Sequence, residues 1–288
     1  MEIFVQQIAN GIMTGTIYAL MALGLTIIYG VMQIPDFAMG HKAMLGAYVA
    51  FFAVSLWQQN YWIALIIAMA AISLVGLATE RLVFRPLKNA PPINGFIAAF
   101  GLIMVFESFA LNVWGATFRQ IDVPYVKQLI QFGGVNLTLQ RLLIIIISAV
   151  FIVLLDSLVR YTKIGKAMRA VAQQPKAALL MGIDVNSVSM FTLGLGSALG
   201  AVSGVLIGPI SMVYPTMGTM LVIKAFIVVV IGGMGNIPGA IIGGIFLGLI
   251  ESLGGAYVSA AYKDVVAFGL LVIILAVYPR GLFGKVGA

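Results

Sequence analysis

Residues 8–31, IANGIMTGTIYALMALGLTIIYGV, decide the fold, because this stretch contains no Asp, Glu, Lys or Arg. About 20 consecutive apolar residues are enough for one helix to cross the hydrocarbon core of a bilayer. The stretch is too long for the apolar region of a cleaved signal peptide, and no basic segment precedes it. It therefore predicts a first membrane-spanning helix rather than a cleaved leader.

The rest of the chain has the same character. Eight further apolar segments follow, at about 43–57, 61–78, 93–114, 139–159, 188–213, 223–234, 238–253 and 264–279. Of the 288 residues 62% are apolar, against only 16 Lys or Arg and 9 Asp or Glu. A soluble fold of this size cannot bury so much apolar surface. The sequence predicts an all-α, polytopic transmembrane helix bundle of about eight or nine spans, forming a single domain over residues 1–288.

The number of spans depends on residues 223–253. This region is either one bent span or two short ones that meet at residues 235–239, GNIPG. Because Gly-Asn and Pro-Gly pairs are strong turn signals, we expect two half-length segments.

Composition excludes several function classes. The chain has no cysteine and a single histidine, which excludes thiolate chemistry and a His-rich metal site. It lacks a Gly-x-x-x-x-Gly-Lys-[Ser/Thr] motif for phosphates, and no serine stands in a nucleophile elbow. We therefore expect no enzyme, and no cofactor or metal bound by this chain. The net charge of +7 is attributed to cytoplasmic loops of a membrane protein rather than to nucleic-acid binding.

The basic residues predict the orientation in the membrane. The preferred topology places in the cytoplasm Lys42, Arg81, Arg85, Lys88, the basic residues from Arg160 to Lys176, Arg280 and Lys285. It places outside Arg119, Lys127, Arg141, Lys224 and Lys263. Because basic residues accumulate in cytoplasmic loops, this division is preferred over its inverse. It implies nine crossings of a bacterial plasma (inner) membrane, with the N-terminus outside and the C-terminus in the cytoplasm.

Glycines recur at every fourth residue in three places. The rows are Gly196, Gly200, Gly204 and Gly208; Gly235, Gly239 and Gly243; and Gly11 with Gly15. Such rows give a helix a flat face that another backbone can approach closely. The pattern fits either a tightly packed static bundle or a surface on which helices slide.

Polar and broken positions within the apolar segments are candidates for a translocation pathway, because ionisable groups are costly in a bilayer. Glu107 lies well inside segment 93–114, where it either lines a pathway or hydrogen-bonds a neighbouring helix. Residues 32–42 interrupt two apolar runs, either as a broken segment beside a cavity or as an ordinary loop. The candidate pathway residues are Asp36, Phe37, Met39, Gly40, His41, Glu107, Gly233 and Gly235.

Residues 160–187, RYTKIGKAMRAVAQQPKAALLMGIDVNS, combine a basic character with an apolar helix. We predict short helices at 165–173 and 176–181, separated by Pro175 and followed by a helix stop at Gly182. An apolar face on the second helix would not be needed in a solvated loop, but it suits docking onto a cytoplasmic partner. The predicted coupling residues are Gly165, Lys166, Arg169, Ala177, Leu180, Met181 and Gly182.

Nearly the whole chain resembles the branched-chain amino acid ABC transporter permeases of the LivH type. The resemblance is carried by GTIYALMALGLTIIYGV at 15–31, MLGAYVA at 44–50, ERLVFRPL at 80–87, TKIGKAMRAVAQQPKAALLMGID at 162–184, KAFIVVVIGGMGNIPGAIIGGIFLGLIES at 224–252 and YKDVVAFGLLVIILAVYPRGLFG at 262–284.

The resemblance implies a permease subunit of an ATP-binding-cassette importer for branched-chain or other hydrophobic amino acids. It implies three kinds of partner: a second, related permease in a heterodimer, two cytoplasmic ATPases that bind ATP, and an extracytoplasmic substrate-binding protein. It also implies that the stretch 162–184 docks into a cleft of the ATPase.

One motif departs from the family. After the first span the family typically reads Asn-Phe-Ala-His-Gly-Glu, whereas this chain reads DFAMGH at residues 36–41. If this motif shapes the route, the cargo or its gating differs, so urea, short amides and other small solutes stay open as alternatives. The rival from another class is an autonomous ion-coupled carrier or channel, built around Glu107 and the broken segment.

Overall fold

The computed structural model of the chain describes residues 2–88, 90–126, 128–132, 135–257, 263–278 and 281. Its elements are α1 Glu2–Met32, α2 Met39–Ser55, α3 Tyr61–Thr79, α4 Pro92–Trp114, β1 Leu129–Phe132, β2 Val135–Thr138, α5 Leu139–Tyr161, α6 Lys163–Gln173, α7 Pro175–Leu180, α8 Val185–Ile207, α9 Met217–Gly232, α10 Ile237–Tyr257 and α11 Lys263–Val277. A π-helical turn at Glu80–Phe84 extends α3. The helices confirm the predicted bundle, and β1 and β2 add a short antiparallel hairpin that was not predicted.

Each of the nine predicted apolar segments corresponds to one helix. Six helices, α1, α3, α4, α5, α8 and α10, are long and apolar enough to cross a membrane. Residues 223–253 belong to two helices, because the chain turns at Gly233 and Gly235, whose positive φ angles of 84° and 82° suit glycine. The prediction of half-length segments is wrong for α10, whose 21 residues are enough for a full span.

The loops collect at two opposite ends of the bundle. We call one the basic end, formed by residues 31–35, 80–88, 90–92, 160–185 and 232–237. The other is the hairpin end, formed by residues 2–10, 56–60, 115–126, 128–132, 135–141, 208–216, 252–257 and 263–264. At the basic end, Nζ of Lys88 donates a hydrogen bond to Oδ1 of Asn186 at 2.8 Å. At the hairpin end, the Arg141 guanidinium donates to Oδ1 of Asn10.

Within the described residues, the chain passes nine times between these two ends. The first helix runs from the hairpin end to the basic end, and the successive passages alternate in direction. After α11, Gly281 approaches Gly233 and thereby returns to the basic end. Six of the passages contain a helix long enough to cross a membrane, and the predicted nine crossings stay a prediction.

Two of the passages contain helices that begin inside the bundle rather than at one of its ends. The first turn of α2 lies beside α8, where Met39 contacts Gly200, well inside the length of α8. The first turn of α9 lies against the first turn of α2, at the crossing of Gly40 and Gly218. From this meeting point α2 runs to the hairpin end and α9 runs to the basic end. The short lengths of these helices, 17 and 16 residues, follow from their starting depth.

The glycine row on α8 faces neighbouring helices, as predicted. A Cβ at Gly196 would lie 3.0 Å from the carbonyl oxygen of Gly24 in α1. A Cβ at Gly204 would overlap the carbonyl group of Ala43 in α2. Because the glycines on this face of α8 have no side chain, the backbones of α1, α2 and α8 approach one another closely.

The other glycine rows have mixed outcomes. Gly11 and Gly15 lie against the backbone of α10, as expected for a close helix crossing. The prediction that Gly235, Gly239 and Gly243 share one helix face is wrong for Gly235. Gly235 stands in the turn before α10, where a Cβ would meet nothing within 4 Å.

Replacement of Gly204 by alanine is expected to destabilise the bundle more than replacement of Gly200. The Cβ at 204 meets backbone of Ala43, which moves only if α2 moves. The Cβ at 200 meets the flexible end of Met39, 3.0 Å from Cε, which can rotate away. Overpacking costs about 1–3 kcal/mol, so Gly204→Ala should lower the thermal unfolding midpoint in detergent while Gly200→Ala barely changes it. Equal midpoints would contradict the close contact.

Two basic residues that were predicted to lie in loops lie inside helices instead. Lys42 is in α2 against Asp36, and Lys224 is in α9 against Glu251. The prediction is wrong for both, because an ion pair offsets the cost of burying each ammonium group.

The remaining basic residues still divide unequally between the ends. The basic end carries Arg81, Arg85, Lys88, Arg160, Lys163, Lys166, Arg169 and Lys176, and the hairpin end carries Arg119, Arg141 and Lys263. Lys127, Arg280 and Lys285 lie outside the described residues. Without the two buried lysines, the basic end still carries more basic residues than the hairpin end. This unequal division is the basis of the predicted orientation.

Candidate functional site

The segment between α1 and α2 is held inside the bundle by a buried ion pair. Nζ of Lys42 lies 2.5 Å from Oδ2 of Asp36, and both side chains are 0% exposed. Oδ1 of Asp36 also accepts a hydrogen bond from the backbone N–H of Ala38 at 3.1 Å. The carboxylate therefore compensates the Lys42 ammonium and the positive end of the α2 dipole together. From Pro35 the segment enters the bundle, where Pro35, Asp36 and Ala38 are buried, so this part is a broken segment inside the protein rather than an ordinary loop.

A second polar contact joins the first turn of α2 to α4. Nε2 of His41 lies 3.2 Å from Oε2 of Glu107. The His41 side chain is fully buried, whereas the Glu107 side chain is 29% exposed. Glu107 therefore contacts a neighbouring helix and also presents part of its side chain at the surface of this chain.

Aromatic rings surround the same region. The ring of Phe37 lies with centroid distances of 5.4 Å to Phe100 and 6.1 Å to Phe96, both on α4. It lies 5.2 Å from the ring of Phe226 on α9. The structure thus brings together around the start of α2 six of the candidate pathway residues: Asp36, Phe37, Met39, Gly40, His41 and Glu107.

The other two candidate pathway residues lie elsewhere. Gly233 and Gly235 form the turn between α9 and α10 at the basic end. Gly235 lines a cavity of about 690 Å³ that also borders Val31 of α1 and Met168 of α6. Their glycine identity is explained by the turn, and their place in a pathway stays a prediction.

A buried cluster that was not predicted connects four helices. Nζ of Lys224 in α9 contacts Oε1 of Glu251 in α10 and lies 3.1 Å from Oδ1 of Asp264 in α11. The hydroxyl of Tyr18 in α1 donates to Oε2 of Glu251 at 2.7 Å and accepts from Lys224 at 3.1 Å. A signal was available, because Lys224 follows an apolar run without any turn residue beside it.

The predicted coupling residues on α6 hold this helix against the end of α5. Oγ1 of Thr162 caps α6 by accepting a hydrogen bond from the N–H of Gly165 at 3.0 Å. A Cβ at Gly165 would overlap the last carbonyl groups of α5, so glycine is required there. The Arg169 guanidinium donates to the carbonyl oxygen of Val159. Gly165 and Arg169 therefore position α6, while Lys166 is exposed.

The second coupling helix, α7, presents an apolar surface to the outside of the chain. It begins at Pro175, and the chain turns at Gly182 with a φ of 80°, as predicted for a helix stop. The side chains of Leu180 and Met181 are 88% and 83% exposed, and Ala177 is exposed beside them. These residues contribute nothing to the packing of this chain.

The junction between α7 and α8 is tied to the turn after α3. Oδ2 of Asp184 accepts a hydrogen bond from Oγ of Ser187 at 2.5 Å, and Oδ1 accepts one from the N–H of Asn186 at 3.0 Å. These bonds lower the pKa of the Asp184 carboxyl below its ordinary value. The hydrogen bond from Lys88 to Asn186 links this junction to the turn that follows the π-helical turn. The junction between α7 and α8 is therefore fixed to the chain that follows α3.

Comparison with known proteins gives a consistent result. The family model described as branched-chain amino acid transport system / permease component matches residues 7–275. The high-affinity branched-chain amino acid transport system permease protein LivH of Escherichia coli (strain K12) is 34% identical, over 98% of this chain and 96% of its own length. The corresponding BraD of Pseudomonas aeruginosa is 32% identical, over 98% of this chain and 96% of its own length.

Among solved structures, PsaBC from Streptococcus pneumoniae in complex with Fab gives a TM-score of 0.49 at 13% identity, covering 97% of this chain and 91% of that chain. The family match includes every helix around the buried start of α2 and both short helices at the basic end. The family match over residues 7–275 and the two relatives of more than 30% identity show that the chain belongs to the family of branched-chain amino acid transport system permease components.

Proposed function

We propose that this chain is the membrane-spanning permease subunit of an ABC importer whose cargo is a branched-chain or other hydrophobic amino acid. The observation that carries the proposal is the family match over residues 7–275. In this role the chain forms half of the membrane pathway, and ATP is bound by partner subunits.

The surface of α6 and α7 is the site where the partner ATPases drive this subunit. The exposed apolar side chains of Leu180 and Met181 support this, because water does not favour such a face on a helix of six residues. Lys166 lies exposed nearby and suits acidic groups on a partner. The contacts of Arg169 and Gly165 with α5 give this surface a rigid base.

The pathway runs past the meeting point of α2 and α9. Broken helices at depth are the usual place for binding sites in transporters, because free backbone groups and polar side chains face the cargo there. The partly exposed carboxylate of Glu107 and the ring of Phe100 supply a polar and an apolar surface at this depth.

The partners and the orientation follow from the same assignment. A second, homologous permease completes the pathway as a heterodimer, two ATPases bind the basic end, and a substrate-binding protein docks on the hairpin end. The basic end faces the cytoplasm, since it carries most of the basic loop residues. The N-terminus is then outside and the C-terminus inside a bacterial plasma membrane.

The proposed function is tested by purifying the tagged chain from its native membrane and reconstituting the product in liposomes. We expect two ATPases and a second permease to copurify, and we expect ATP-dependent uptake of radiolabelled leucine when the binding protein is added. Uptake by this chain alone, driven by an ion gradient, would support the carrier alternative instead. ATP-dependent uptake of urea or a short amide, without uptake of leucine, would support the small-solute alternative.

The proposed orientation can be tested separately by cysteine labelling. Only the engineered cysteine can react, because the chain contains no native cysteine. A cysteine at exposed Lys166 should react with a membrane-impermeant maleimide only after the cells are opened. A cysteine at exposed Thr117, at the hairpin end, should react in intact cells. Labelling of Lys166→Cys from outside intact cells would overturn the orientation.

A further inference from the structure

We infer that the Glu107 carboxylate binds the ammonium group of the cargo as it passes α4, and that His41 positions this carboxylate. The inference rests on the proposed function and narrows it, because it requires a cargo with a primary ammonium group. It concerns one carboxylate near the start of α2, and it is independent of the coupling surface on α6 and α7.

The first observation is the kind of group that pairs with each carboxylate. In the part of the chain that the structure describes, five carboxylates form ion pairs with a lysine or an arginine: Asp36 with Lys42, Glu80 with Arg85, Asp156 with Arg160, and Glu251 and Asp264 with Lys224. Asp184, at the start of α8, is held by hydrogen bonds from Ser187 and Asn186. Glu107 instead lies against the imidazole of His41, at 3.2 Å, so its charge faces a partner that is not permanently charged.

The surroundings of His41 favour a neutral ring. With Nε2 donating to Glu107, the other nitrogen, Nδ1, is buried and has no hydrogen-bond partner among the described residues. A protonated ring would place an unsatisfied N–H donor at this position, which costs about 1–3 kcal/mol. The neutral imidazole can orient the Glu107 carboxylate by one hydrogen bond without neutralising it.

The second observation is where the carboxylate points. The side chain is 29% exposed on α4, and α4 is the least buried of the six long helices. A charged group facing hydrocarbon at this depth costs about 2.5–3.5 kcal/mol or more, so such groups face a partner or a water-filled route. One side of Glu107 contacts His41 in the first turn of α2, so the exposed remainder of the side chain lies beside the start of α2.

The third observation is the apolar surface beside the carboxylate. Phe96, Phe100 and Glu107 follow each other by four and seven residues, so they share one face of α4. Phe37 covers the same face from the α2 side, with its ring 5.4 Å from that of Phe100. A carboxylate next to aromatic rings matches a small solute with an aliphatic side chain and an ammonium group. Urea and simple amides carry no such cation.

The experiment uses the complete importer, purified with its partner subunits and reconstituted with its binding protein. Glu107→Gln keeps the size of the side chain and removes the charge. We expect its maximal rate of ATP-dependent leucine uptake to fall about tenfold or more, as for loss of one charged hydrogen bond. Subunit assembly should be unchanged, and Glu107→Asp should recover part of the rate. Asp156→Asn, the same chemical change in a pair on α5, should transport normally.

Substitution of His41 separates cargo binding from a merely structural contact. His41→Lys supplies a permanent cation to Glu107, so it should compete with the cargo and lower leucine uptake about tenfold. His41→Gln keeps a hydrogen-bond donor and leaves the carboxylate free, so it should retain most of the uptake. A purely structural pair predicts the reverse order, because a fixed ion pair would hold α2 and α4 together better than an amide does.

The outcomes distinguish this inference from the proposed function. Full leucine uptake by an assembled Glu107→Gln complex would overturn the inference and leave the importer assignment intact. Full leucine uptake by His41→Lys, together with loss of uptake in His41→Gln, would also overturn the inference and leave the importer assignment intact. Absence of leucine uptake in the wild-type complex, with ATP-dependent uptake of an uncharged solute, would overturn the proposed cargo and with it the role of Glu107.

Discussion

Leu180→Asp is expected to abolish transport while the chain still inserts into the membrane. Leu180 is 88% exposed on α7, so aspartate at this position disturbs no packing within the chain. In the assembled importer the same side chain would be buried in the ATPase contact. Loss of a buried apolar anchor costs about 2 kcal/mol or more, which corresponds to about thirtyfold weaker association. Copurification of the ATPases and leucine uptake should therefore be lost together.

The matched control is Leu129→Asp. Leu129 is 65% exposed on β1 at the hairpin end, so the same change in chemistry is made at the end opposite to the proposed ATPase contact. This variant should retain ATPase association, and both variants should reach wild-type levels in the membrane. If Leu180→Asp keeps both ATPase association and full uptake, α7 is not the coupling helix.

Lys42→Met is expected to give the largest loss of stability of any single substitution discussed for this chain. The change leaves the Asp36 carboxylate fully buried without the ammonium that lies 2.5 Å from it. Removal of one partner of a buried ion pair costs about 3–5 kcal/mol. Denaturant unfolding in detergent, followed by tryptophan fluorescence, should show this decrease in the free energy of unfolding.

Two further variants test whether the loss of charge compensation causes the lower stability of Lys42→Met. Asp36→Asn combined with Lys42→Met removes both charges, so the double variant should recover most of the stability that the single variant loses. Lys88→Met removes an exposed lysine that bonds Asn186 at the surface, and such a loss should stay below about 1 kcal/mol. A double variant that is as unstable as Lys42→Met alone would show that the lysine stem, and not charge compensation, is what matters.

The helices of this chain could be predicted from sequence because their signal is local. An apolar run such as residues 8–31 predicts a helix in the membrane without any information from the rest of the chain. All nine apolar runs form helices. The two short helices at the basic end were predicted for the same reason, since Pro175 and Gly182 act on their immediate neighbours. The family resemblance then connected these helices with a coupling role.

The ion pairs could not be predicted in this way, because their partners are brought together by the fold. Lys224 meets Glu251 only after α9 and α10 pack side by side, and His41 meets Glu107 across two helices. A rule that counts basic residues in loops therefore misplaced Lys224 and Lys42. The depth at which α2 begins could not be predicted either, because it depends on packing against a distant helix. Hydropathy indicates that α2 is apolar, but it does not show that α2 begins beside Gly200.

The head-to-head meeting of α2 and α9 also constrains how the protein is made. When α2 emerges from the ribosome, the helices that enclose its first turn, α8 and α9, have not yet been synthesised. Asp36 and His41 find Lys42 and Glu107 within the N-terminal half, but Gly40 has no packing partner in α9 until the C-terminal half arrives. A chain truncated before α9 leaves Gly40 without its neighbour Gly218. We therefore expect such a fragment to be degraded in the membrane rather than to act as a smaller permease.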